Sequence, residues 1–158
     1  MLRRYVELLH ERLGDRLRSV VLFGSVARGN WDESSDIDVL VVVDGWEGRL
    51  WDRLRVLLEV EGRLREGREY QEAVAKGYRP LFQPYPISTE EAQRTHAVYL
   101  DLVIDGVVLF DRDGFIAGVI EGVRRRLEGL GARRMVRPDG SHLWVLKEGA
   151  RFGEGIEV

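Results

Sequence analysis

The chain has 158 residues, 44% of them hydrophobic, which suits one domain with a real core. Its 24 basic and 27 acidic residues leave a net charge of -3, which argues against a generic polyanion-binding surface, so nucleic acid is not an expected bulk partner. Cysteine is absent, which excludes disulfides and thiolate metal sites; no stretch approaches the ~20 apolar residues of a membrane span, and the first residues lack the apolar core of a signal peptide, so a cytoplasmic protein away from membranes is expected.

Leu2, Tyr5, Val6, Leu9 and Leu13 recur at helical spacing and predict an amphipathic helix from Leu2 to Leu13, stopped by Gly14. Val20 to Phe23 and Ile37 to Val43 are apolar runs suited to buried strands. Leu50, Leu54, Leu57, Leu58 and Leu64 predict a helix from Trp51 to about Gly67, with Glu69 to Lys76 extending it after a break. Arg79 to Tyr85 reads as a strand bounded by Pro80 and Pro86, and prolines there suggest a sheet edge or a strand end. Ser88 with Glu91 resembles a capping box opening another helix.

Ala97 to Ile104 is two-sided: Tyr99, Asp101 and Val103 alternate as in a strand, whereas Gly106 is placed to end a helix, and the reading favours helix. Val107 to Phe110 reads as a strand, and Phe115 to Leu130 as a long helix ended by Gly131. Arg134 to Val136 and Leu143 to Leu146 flank Pro138-Asp139-Gly140, a hairpin signal, while Arg151 to Val158 is a loose tail or a last edge strand. The sum is a single α+β domain over 1–158, with a core of about 1–112 followed by a C-terminal helix and β-hairpin over about 113–158.

The chemistry concentrates in Gly24-Ser25-Val26-Ala27-Arg28-Gly29 and in Ser34-Ser35-Asp36-Ile37-Asp38-Val39. Side chains two apart on a strand share a face, so Asp36 and Asp38 project together while Ile37, Val39 and Val41 enter the core on the other side. Two adjacent acids repel unless a cation neutralises them, and oxygen-only ligands favour Mg²⁺ or Mn²⁺, which keep waters and accept nucleotide phosphates. Gly24 lets the chain leave the first strand closely, Ser25 offers a hydroxyl and an N–H, and Arg28 adds a charged donor for phosphate. Asp-x-Asp alone occurs on many exposed strand ends, and Gly-Ser alone is commonly just a turn. Their joint order, between two apolar strands and with an arginine, has no comparably economical structural explanation.

Among the other polar residues, His10, His96 and His142 lack metal-ligand spacing and read as structural. Arg124 to Arg126 read as the solvent face of the long helix, and Trp31 as a loop anchor that would otherwise cover a base. Ser34 and Ser35 would cap the turn or contact phosphate, Ser35 being better placed because it adjoins Asp36.

From Val20 to Val43 the chain resembles the DNA polymerase β nucleotidyltransferase superfamily, and specifically its minimal nucleotidyltransferases, through Gly24, Ser25, Ala27, Arg28, Gly29, Ser35, Asp36, Ile37 and Asp38. The resemblance implies an α+β fold, a small mixed sheet flanked by helices. It also implies ATP or another nucleoside triphosphate as donor, and transfer of a nucleoside monophosphate to an acceptor hydroxyl. Asp36 and Asp38 would be the catalytic, metal-holding pair, with Gly24, Ser25, Arg28 and Ser35 on the nucleotide.

The family generally carries a third carboxylate on a later strand, and Arg79 to Tyr85 has none: Gln83 stands about where it would be. Asp101 is the substitute if its segment is a strand; on a helix it is a surface acid, and the protein either uses two carboxylates or has lost catalysis. A rival expectation follows, an antitoxin-like protein paired with a helical HEPN-domain ribonuclease, transferring AMP to that partner or acting without catalysis. A third is a domain that binds nucleotide without turnover. Homodimerisation is a further expectation that the residues leave open.

Overall fold

The structure, a computed structural model, describes residues 1–137, 142–150 and 155–156. The elements in chain order are α1 (Leu2–Leu13), β1 (Leu17–Phe23), α2 (Gly24–Arg28), β2 (Asp36–Val43), α3 (Leu50–Arg65), α4 (Arg68–Ala75) and β3 (Leu81–Ser88). They continue through α5 (Thr89–Ala92), α6 (Val98–Asp105), β4 (Val107–Asp111), α7 (Phe115–Leu130), β5 (Arg133–Val136) and β6 (His142–Val145). The expected Pro138 to Gly140 turn and most of the Arg151 to Val158 stretch lie outside the described residues.

The order β3-β2-β1-β4 makes a mixed four-stranded sheet, and β5 and β6 form a separate antiparallel hairpin. β1 runs antiparallel to β2 and β4, while β2 and β3 are parallel. This is the α+β architecture that the sequence predicts.

Alternation along the central strands divides their side chains between two cores. On one face Val20, Leu22, Ile37, Val39 and Val41 meet Tyr5, Leu8 and Leu9 of α1 and Leu57, Val60 and Leu64 of α3. On the other, Val21, Leu40 and Val42 meet Tyr99 and Leu102 of α6 and Ile116, Ile120, Val123 and Leu127 of α7. Each fully buried side chain of this kind contributes about 1.5–3 kcal/mol, so the central strands are firmly held on both faces. That rigidity is what the site inherits, since Asp36 and Asp38 begin the central strand β2.

Several boundaries shift by one or two residues from the sequence reading, and two shift by three. β1 starts at Leu17, because the Ser19 hydroxyl is satisfied inside the sheet, donating to Asp111 Oδ1 at 2.7 Å. The same Asp111 accepts from the N–H groups of Ile116 and Ala117, so one carboxylate ties β1 to the start of α7. β3 runs through Pro84 and Pro86 to Ser88 instead of stopping at Tyr85. It is an edge strand, and prolines two residues apart turn their missing N–H groups to the same, unpaired side, so no ladder bond is lost.

The two-sided segment is helix: α6 buries Tyr99 and Leu102, three apart, against α7 and the sheet. The capping box forms as expected, with Glu91 N–H donating to Ser88 Oγ at 3.1 Å and Ser88 N–H donating to Glu91 Oε2 at 2.8 Å.

Candidate nucleotide and metal site

β1 ends at Phe23, which pairs with Asp38 of β2, so the chain leaves the sheet at Gly24 directly beside the second aspartate. Gly24 has φ +74, and a Cβ there would lie 2.2 Å from Asp38 Oδ2. Only glycine provides both that backbone conformation and that clearance. α2 is then a single short helix closed by Gly29, whose φ of 75 is left-handed and whose N–H returns to Ser25 O and Val26 O.

Asp36 and Asp38 occupy the same side of β2, the side of Leu40 and Val42, both half-buried. Burial pushes the Asp38 carboxyl above its ordinary value, and the neighbouring Asp36 charge pushes the same way; Arg28 opposes them, and Asp101 adds a smaller upward push. Among the described residues no ion pair engages either carboxylate, because Arg28 directs its Nη1 to Asp105 Oδ2 at 3.3 Å. An oxygen-only pair in which burial and the neighbouring charge disfavour an ionised Asp38 fits a hard divalent cation, Mg²⁺ or Mn²⁺, with phosphate and water completing its shell.

α6 packs against α2 and β1, the elements that flank this pair. Asp101 and Asp105, four residues apart, share one face of that helix, the first within electrostatic reach of Asp38 and the second on Arg28. Asp101 is thus a helix acid, as the helical alternative required, and it does not complete a metal cluster. Among the described residues no group of three or more His, Asp or Glu is placed to hold a metal. Gln83 occupies the neighbouring strand beside Asp38 in register, and its amide donates to Asp36 Oδ2 at 3.4 Å.

The remaining predicted residues are placed as follows. Ser25 lies in α2, its carbonyl accepting from Asn30 N–H at 3.1 Å. Ser35 ties the preceding turn: its hydroxyl donates to Asp32 Oδ1 at 3.1 Å and accepts from Asp32 N–H at 2.9 Å. Hydrogen bonds from Ser34 first, and then Ser35, hold the Asp32 carboxyl below its usual range. Trp31 is 50% exposed and tilts against Tyr78 with ring centroids 5.6 Å apart, so it anchors the loop. His96 is structural, held by Glu91 O at 2.8 Å and by the Tyr85 hydroxyl at 3.2 Å.

Sequence reasoning missed Asp105 and Arg134. Arg134 of β5 also reaches Asp105 Oδ2, at 3.4 Å. The four-residue spacing of Asp101 and Asp105 was a local signal that one helix face carries two acids, whereas nothing in the sequence points to Arg134.

Among the described residues no helix is long and apolar enough to cross a membrane. Residues 2–98 match the family model described as the nucleotidyltransferase domain. Two candidate protein adenylyltransferases of Methanocaldococcus jannaschii are similar in part. One is 38% identical over 60 residues, 38% of this chain and 41% of the relative; the other is 61% identical over 31 residues, 20% of this chain and 31% of the relative. The matched region thus spans less than half the length of these curated relatives. A crystal structure of a toxin-antitoxin with AMP-PNP shares the fold at a TM-score of 0.51 and 15% identity, covering 81% of this chain and 90% of that one. With 97 of its residues matched by the family model, the chain belongs to the nucleotidyltransferase domain family.

Proposed function

We propose that this protein is a divalent-metal-dependent adenylyltransferase that moves AMP from ATP to a hydroxyl on a protein partner. The carrying observation is the seating of Asp38 against Gly24 with Asp36 on the same strand face, inside the matched region, a carboxylate pair that no cationic side chain neutralises among the described residues and that fits a divalent cation. The names of the relatives support a protein acceptor, and the toxin-antitoxin neighbour with AMP-PNP supports both an adenine nucleotide and a paired partner. The partner class that the sequence resemblance implies is a HEPN-domain ribonuclease.

In this reading Asp36 and Asp38 hold Mg²⁺ or Mn²⁺, which supplies Lewis-acid neutralisation of phosphate charge. Gly24 and Ser25 bring backbone N–H groups against the phosphates, and Arg28 balances charge on the departing pyrophosphate. The acceptor oxygen bonds to the α-phosphorus while the bond from that phosphorus to the bridging oxygen breaks. Gln83 cannot take the hydroxyl proton. Outside the metal-holding pair, Asp101, whose charge is felt at Asp38, is the acid that would accept it.

The test is incubation of the pure chain, with Mg²⁺ or Mn²⁺ and candidate protein acceptors, with ATP labelled at the α-phosphate. Label appearing on protein, lost with Asp36→Ala and Asp38→Ala, is the expected result. Absence of any pyrophosphate release and of any nucleotide-dependent rise in Tm would sink the proposal. A second reading, a nucleotide-binding partner protein without turnover, is favoured by Gln83 standing beside the pair in place of an acid. It predicts the rise in Tm without pyrophosphate release.

A further inference from the structure

We infer that Asp105 is a positioning residue for Arg28, and that Arg134 of the C-terminal hairpin is the counterion that allows it to serve as one. This rests on the proposal that Asp36, Asp38 and Arg28 receive a nucleoside triphosphate. Asp105 is the last residue of α6, where the negative end of the helix disfavours a carboxylate, and its side chain is only 14% exposed. An acid so placed requires cationic partners, and it has two. Arg28 Nη1 at 3.3 Å and Arg134 Nη2 at 3.4 Å meet the same oxygen, Oδ2.

One carboxylate balances one guanidinium, so the cluster carries an excess positive charge. Arg134 is the more buried of the two, 18% exposed against 28% for Arg28. Arg28 is therefore the guanidinium an incoming anion can reach, and its charge is the one felt at Asp38. A phosphate chain arriving at the aspartate pair meets an arginine whose rotamer Asp105 has already fixed, which lowers the ordering entropy of binding. Without Arg134, Asp105 and Arg28 would close into a one-to-one pair, and the charge offered to phosphate would be cancelled. Asp105 and Arg134 both lie beyond the matched residues 2–98, so this support is built by parts of the chain outside the family model.

The test is a double-mutant cycle on the full chain, reading the Kd of AMP-PNP with Mg²⁺ by calorimetry and the Tm of each variant. Arg28→Gln is expected to weaken binding about tenfold and Asp105→Asn about threefold, with Asp105→Asn having no further effect once Arg28 is Gln. Arg134→Gln is expected to weaken binding and to lose that effect in the Asp105→Asn background. If Asp105→Asn weakens binding equally in both backgrounds, or tightens it as simple removal of a negative charge would, the inference is overturned while the proposed function stands. If the wild-type chain does not bind AMP-PNP, both fall. Should Asp105→Asn not fold, Arg134→Gln crossed with Arg28→Gln carries the same cycle, and additivity there overturns the inference.

Discussion

The side-chain amide of Gln83 donates to Asp36 Oδ2 at 3.4 Å, and the parallel pairing of β3 with β2 sets Gln83 in register with Asp38. An amide there calms the carboxylate pair without adding charge. Gln83→Glu would bring a third acid to the same strand face and make an oxygen cluster suited to a tightly held cation. The expected outcome is tighter Mn²⁺ binding by calorimetry, together with a lower Tm in chelator, because three acids repel when no cation is present. Unchanged Mn²⁺ affinity would show that Gln83 does not face the metal.

Gly24→Ala is expected to act on function and stability together. The added Cβ falls 2.2 Å from Asp38 Oδ2, and alanine at φ +74 is strained in its own right. Backbone strain of this kind costs about 1–2 kcal/mol, readable by urea unfolding, while displacement of Asp38 removes the nucleotide-dependent rise in Tm. A variant that keeps the full ligand shift would mean that the contact between Gly24 and Asp38 is not required.

Asp38→Asn separates stability from function. Burial and the Asp36 charge both disfavour an ionised Asp38, so the neutral isostere is expected to raise the Tm of the metal-free chain at neutral pH. The same variant is expected to lose the shift produced by Mg²⁺ and ATP. A fall in metal-free Tm would indicate that the carboxylate has a stabilising partner in solution.

The pairing of Arg53 with Glu91 gives a pH dependence away from the site. Arg53, 11% exposed, donates through both Nη atoms to Glu91, one contact being 3.1 Å, and Glu91 also caps α5. The Arg53 hydrogen bond is the main cause holding the Glu91 carboxyl below its ordinary 4.5. Because the folded value is lowered, the stabilisation is complete above 4.5 and is lost as pH falls through the folded value. Glu91→Gln should therefore cost about 1–3 kcal/mol at neutral pH, by urea unfolding, and the gap from wild type should narrow in acid. A gap that does not change with pH would exclude the ion pair as its source.

The sequence by itself determined the elements and the aspartate pair, because each is local. Helical spacing in Leu2 to Leu13, apolar runs ending at glycines, and the two-residue repeat that puts Asp36 and Asp38 on one face all act within a few residues. The sequence also placed Gln83 near the missing third acid, since the strand order of the resembled family led there. It left α6 two-sided because Tyr99, Asp101 and Val103 satisfy a strand period as well as a helical one, and only the burial of Tyr99 and Leu102 against α7 selects the helix. Which groups meet across that packing was decided by tertiary structure alone. Asp105 reaches Arg28 across 77 positions, and Arg134 reaches Asp105 from a separate hairpin. Contacts of this kind depend on how layers stack, and no periodicity along the chain encodes them.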